Sequence, residues 1–242
     1  MSGTALSGPS PAGDSGTVAA AAGAAPRCAP AALKLVPPAG IDFTAPSASD
    51  DATRRRIVLS ALRLAQAQGG WDAVHVHAVA REAGATMEEM HRHFPDKDSI
   101  AEGFFDMADA AMTAAARAES WPRLPLRERL FTTLMAWLNA LAPQRRIVAD
   151  MLGYKMHPEH VHLQVRGVAR ISRTVQWWRE LALSPATGWR RELEEAVLTT
   201  IYLTTFARWM MDASPGADST RRQLRRALAL AERGGRLLGY VR

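Results

Sequence analysis

The stretch VHVHAVAREAGATMEEMHRHFPDK, residues 74–97, decides the fold. Val76, Val79 and Ala80 recur at helical spacing and form a short apolar face. Ala83-Gly84-Ala85 interrupts that helix with a tight turn, where Gly84 supplies a positive φ. Thr86 then caps a second short helix, and Glu89, three residues on, completes a capping-box pattern. Met90 and Phe94 lie one turn apart and face back toward the core. A longer helix precedes the pair. In it Ile57, Ala61, Leu64 and Ala67 repeat at spacings of four and three, and Gly69-Gly70 closes it. Two short helices around a glycine turn, after a longer helix, make a helix-turn-helix whose second short helix suits the major groove.

Beyond this segment the helical pattern continues. The spacing predicts helices near 75–83, 86–94, 97–118, 124–141, 143–156, 160–182, 189–212 and 218–238. Pro122, Pro125, Pro143, Pro158, Pro185 and Pro215-Gly216 punctuate them. No run alternates apolar and polar residues around a turn signal, so the fold class is all-α. The expected domains are an arm at 1–50, a helix-turn-helix domain at 51–98 and a larger helical domain at 99–242. The arm is largely Ala, Gly, Pro, Ser and Thr, side chains too small to offset the entropy of ordering it, and is expected to be disordered. Its Ala-rich stretch from Val18 to Ala25 follows no basic region and does not read as a signal peptide. No window approaches 18 apolar residues free of charge, and the expected location is cytoplasmic.

The 242 residues carry 30 basic against 24 acidic side chains, a formal net charge of +6. Such an excess suggests an anionic partner, either nucleic acid or an anionic membrane surface. Residues 51–98, however, hold seven of each sign, whereas residues 121–242 hold 20 basic and 10 acidic. The helix-turn-helix is therefore neutral by count, and the basic excess lies in the C-terminal half.

Two runs, Ala80-Arg81-Glu82-Ala83-Gly84-Ala85-Thr86 and His91-Arg92-His93-Phe94-Pro95-Asp96-Lys97-Asp98-Ser99-Ile100, resemble the TetR family of transcriptional regulators. The resemblance is strongest up to about Ile100. It implies an all-α homodimer whose first three helices bind double-stranded operator DNA, and whose remaining helices form a ligand pocket and a dimer interface. By this resemblance Thr86, Met87, Glu88, Glu89, His91 and Arg92 form the recognition helix, and Lys97 contacts a phosphate from the start of the fourth helix. Two recognition helices would enter half-sites about 34–36 Å apart. An apolar small molecule would change that spacing and release the DNA, making the protein a repressor. The last two helices would supply most of the dimer interface. Glu88, Glu89 and His91 depart from the family's usual small, hydroxyl and Tyr residues. Two carboxylates facing a polyanion are unfavourable unless one accepts from a cytosine amino group.

The C-terminal half holds six of the seven Trp. Trp137, Met151, Met156, Trp177, Trp178, Tyr202, Phe206 and Trp209 suit a pocket for a bulky apolar ligand, and equally suit plain core packing. This half also resembles the ubiquinone-biosynthesis accessory proteins, lipid binders with a TetR-like fold. The matching residues are Arg127-Glu128-Arg129-Leu130, Leu141-Ala142-Pro143, Ile201-Tyr202, and Asp212-Ala213-Ser214-Pro215-Gly216 with Thr220, Arg221 and Arg222. That resemblance implies an isoprenoid ligand, peripheral membrane contact and a helix-turn-helix without DNA. Arg221, Arg222, Arg225, Arg226 and Arg233 would then meet an anionic surface, although such a run also reads as a solvated helix face.

His157, His160 and His162 lack the i, i+4 spacing of a helical metal pair and read as surface or pocket-edge histidines. Cys28 stands alone, so no intrachain disulfide or thiolate cluster is available. No nucleophile elbow, P-loop or dinucleotide fingerprint is present, so neither an enzyme nor a resident cofactor is expected.

Overall fold

The computed structural model describes residues 48–155 and 161–237, with side-chain surroundings for 48–153 and 167–235. Nine α-helices and no strand occur among the described residues: α1 Ala48–Ala67, α2 Val76–Ala83, α3 Met87–His93, α4 Lys97–Ala115, α5 Leu126–Leu141, α6 Arg145–Lys155, α7 Val161–Leu181, α8 Trp189–Met210 and α9 Asp218–Leu237. The expected all-α class and the order of the helices are observed. The first turn of α1 takes in Ala48–Asp50, residues assigned above to the arm, while residues 1–47 lie outside the described residues.

The apolar face read from the first helix is its buried face. Ile57, Val58, Ala61, Leu62 and Ala65 are all covered. They pack on α2 and on α4, the helix that links both halves of the molecule. The boundary expected at residue 98/99 falls inside α4, and the core runs through it without a break, from Ile57 to Leu228. Physically, α4 is too long to belong to the three-helix unit alone. Its N-terminal turns cover α1, and it then lies along α5.

Gly103 permits the close approach of α4 to the end of α3. A Cβ there would stand 2.8 Å from the Phe94 ring and 3.0 Å from Val58. The centre of the larger half is α5. Leu130, Phe131, Leu134, Met135, Trp137, Leu138 and Leu141 are buried because α4, α7, α8 and α9 all pack against it. Burying each such side chain contributes roughly 1.5–3 kcal/mol.

Two turns in the larger half are locked by side chains. Between α7 and α8, buried Arg179 donates to Glu194 at 2.9 Å, to Glu180 at 2.8 Å and to the carbonyl of Ala186, while Ser184 donates to Glu194 at 2.7 Å. Between α8 and α9, the Asp212 carboxylate accepts from the backbone and side chains of both Ser214 and Thr220. These donors hold its pKa far below the ordinary carboxylate range.

Candidate nucleic-acid interface and ligand cavity

The turn between α2 and α3 forms as its sequence directs. Gly84 takes φ +61°, its N–H bonds Arg81 O at 3.2 Å, and Ala85 N bonds Ala80 O at 2.9 Å. This pair of bonds is the Schellman closure of a helix end. Thr86 Oγ1 then accepts from Glu89 N at 3.1 Å, and the Glu89 carboxylate accepts from Thr86 N at 2.8 Å. A second box, between Asp96 and Ser99, opens α4. Met90 and Phe94 are buried, which anchors α3 and leaves Met87, Glu88, His91 and Arg92 on its outer side.

The two glutamates of α3 are engaged within the helix. Hydrogen bonds from the Thr86 backbone and hydroxyl lower the Glu89 pKa, so that carboxylate belongs to the cap. Glu88 is paired with Arg92 at 2.8 Å, one turn on. Lys97 stands at the first position of α4, as the resemblance implies, but its ammonium donates to Asp72 O at 2.8 Å and lies over the Trp71 ring. Burial lowers its pKa. It fastens the α1–α2 loop to α4. Arg55 and Arg56, on the outer face of α1, are exposed and form no hydrogen bond or ion pair shorter than 4.0 Å with the described residues. Sequence reasoning missed them because the run Arg54-Arg55-Arg56 precedes the motif. Only the packing of Arg54 inward, over Phe94 and onto His93 O at 2.8 Å, shows which of the three face out.

In the larger half, α4–α8 surround an apolar cavity of about 190 Å³. Phe105, Trp137, Met151, Tyr202 and Phe206 line it, with Glu102 and Arg170 at its polar side. Tyr202 and Phe206 lie only 3° from parallel, in a stacked pair with ring centroids 6.2 Å apart. Trp137 meets them at 66° and 68°, and Phe105 lies 15° from the Trp137 plane.

Behind this wall runs a chain of polar contacts. Trp137 Nε1 donates to Asp109 at 2.8 Å, and Arg170 donates to Asp109 at 2.7 Å, Asp106 at 2.7 Å and Glu102 at 3.0 Å. Burial raises the Asp109 pKa, against the pull of Arg170. Burial also opposes the Arg170 charge, but its three carboxylates outweigh that and raise its pKa. Asp106 in turn lies 3.9 Å from Arg54, the residue bonded to His93 at the end of α3.

A family model for bacterial regulatory proteins of the tetR family matches residues 57–103. A solved structure of a TetR transcriptional regulator from Nitrosomonas europaea is 38% identical, over 74% of this chain and 98% of that one, with a TM-score of 0.65. The chain belongs to the TetR family. A TetR transcriptional regulator from Rhodococcus sp. RHA1, 18% identical over 75% of this chain and 96% of that one, shares the fold with a TM-score of 0.56. No curated protein matches the chain.

Within this TetR-family fold, the eight aromatic and Met positions singled out from the sequence separate. Trp137, Met151, Tyr202 and Phe206 meet at the cavity. Trp209 does not line it: it is wholly buried behind Phe206, stacked on that ring at 5.8 Å and covered by Arg145. Trp178 is a core residue whose indole donates to Leu130 O at 2.9 Å. Trp177, its neighbour, faces outward and is 55% exposed, because adjacent residues on a helix point about 100° apart. Met156 lies outside the described residues, as do His157 and His160. Phe105 and Arg170 were missed, since only the packing of α4 and α7 brings them to the same cavity.

The residues behind the second resemblance also have structural roles. Asp212, Ser214 and Thr220 are the α8–α9 joint. Arg225 lies on the Phe131 ring and pairs with Glu128, Arg221 bonds Gly216 O, and Arg222 bonds Ser219. No helix among the described residues is long and apolar enough to cross a membrane.

Proposed function

We propose that this TetR-family regulator is a cytoplasmic repressor that binds operator DNA as a homodimer and releases it when an apolar small molecule enters the cavity between α4 and α8. The observation that carries the reading is the intact, doubly capped α2–α3 unit. Its glutamates are turned into a cap and an ion pair, and Arg55 and Arg56 stand exposed beside it, Arg56 close enough to act on Glu89. In this reading Met87, His91 and Arg92 meet base edges, and Arg55, Arg56 and the α4 N-terminus at Lys97 meet phosphates. Two further features support it. Trp189, Leu193, Ala196, Thr200, Ala207 and Met211 recur on one exposed face of α8, a stripe suited to a second copy. The contacts Trp137–Asp109–Arg170–Asp106–Arg54–His93 join the cavity to α3, so a ligand that shifts the wall has a route to the recognition helix. The lipid-carrying alternative has less support, because its motif residues cap a turn and several of its arginines are held by the fold.

The test is a mobility-shift series with DNA flanking the protein's own gene. Binding is expected to fall linearly in log–log form with salt, and Arg56→Ala to reduce the slope by about one unit. Failure to shift any such fragment at low salt, with an isoprenoid lipid found bound by mass spectrometry, would overturn the regulator reading in favour of lipid carriage.

A further inference from the structure

Among the described residues, one donor that a molecule in the cavity could reach has no partner. Trp137 has spent its N–H on Asp109, and Arg170 has spent both terminal nitrogens on carboxylates. The Arg170 Nε is buried and has no acceptor, and Arg170 as a whole is 8% exposed. The Tyr202 hydroxyl forms no hydrogen bond with a described residue. Burial pushes its pKa well above the usual phenol range, Asp109 adding to the shift and Arg170 opposing it, so the hydroxyl keeps its proton. Glu102, a carboxylate at the wall, is held by Arg170.

Shape and charge narrow the ligand further. The Tyr202 and Phe206 rings are parallel, Trp137 stands steeply against them, and such aromatic side chains suit an aromatic ring. The volume, about 190 Å³, is near that of apolar cavities of about 150 Å³ that hold benzene. The charge of Arg170 is already met by Glu102, Asp106 and Asp109, so an anion entering here would meet the Glu102 carboxylate and no uncompensated cation.

We propose that the cavity takes a neutral, flat, single-ring molecule carrying an acceptor oxygen. The ring packs against the Tyr202 and Phe206 side chains, and the oxygen accepts from the Tyr202 hydroxyl. This rests on the reading of the cavity as the effector site.

The test uses the full chain and three probes of similar framework: acetophenone, ethylbenzene and benzoate, titrated calorimetrically. Acetophenone is expected to bind about five-fold tighter than ethylbenzene, the worth of one neutral hydrogen bond, and benzoate to bind weakest. Tyr202→Phe is expected to bring acetophenone to the ethylbenzene level while leaving ethylbenzene unchanged. Equal binding of acetophenone and ethylbenzene, a preference for benzoate, or no binding of any probe overturns the proposal. The wild-type series decides this even if the variant misfolds. Operator release is measured separately. An acetophenone preference without any effect on DNA supports the ligand class and overturns the effector reading.

Discussion

The helix-turn-helix and the larger helical half use charge in opposite ways. Residues 51–98 are neutral by count, yet Glu89 is held by a cap, Glu88 by Arg92 and Glu82 by Arg63, while Arg55 and Arg56 stay exposed. Residues 121–242 carry a large basic excess, yet Arg145, Arg170, Arg179, Arg221 and Arg225 are held in caps, ring contacts and ion pairs. Formal charge along the chain therefore misplaces the surface charge. A carboxylate within reach of a helix N-terminus is drawn inward, and a guanidinium with a long apolar stem serves as packing.

The largest effect that would sharpen this contrast is expected at Arg170. Arg170→Met should cost about 3–5 kcal/mol in urea unfolding, since it leaves Glu102, Asp106 and Asp109 crowded without their shared cation. Loss of less than about 1 kcal/mol would show that the arginine is a surface charge after all.

Asp212→Asn follows, at roughly 2–3 kcal/mol near pH 7, because the carboxylate collects four donors. The sign of its pH dependence follows from the depressed pKa. Such a group stabilises fully above its unfolded value of about 4 and loses that contribution as pH falls through its folded value. The gap between wild type and variant should thus be wide at pH 7 and close under acid. A gap independent of pH would assign the effect to packing.

Thr86→Ala should cost about 1 kcal/mol through loss of the α3 cap, read by thermal or urea unfolding. The smallest effect on stability is expected at Arg56→Ala, which should leave unfolding unchanged while altering only the salt dependence of DNA binding. Arg226→Ala, an exposed arginine of α9, should alter neither; a matching loss of DNA affinity there would break the contrast between the halves.

The Gly84 turn, the Thr86–Glu89 box and the order of the helices were legible from the chain, because each depends on residues within four positions of one another. The outward direction of Arg55 and Arg56 was not, since it follows from Arg54 finding Phe94 and His93 some 39 residues away. The cavity was half legible. Trp137, Tyr202 and Phe206 could be named by type, but the same criterion selected Trp177, Trp178 and Trp209. What separates them is which face of each helix meets α5 or the gap beside it.

Local architecture follows from the chain alone: where helices start, cap and stop, and that a short capped helix follows a glycine turn. Those features are set by backbone geometry and by short-range hydrogen bonds. Which charges are spent, and which aromatic side chains enclose empty space, is set by how the helices pack. Both depend on partners contributed by helices far apart in the chain, as when Arg170 of α7 gathers three carboxylates from α4 beside the cavity.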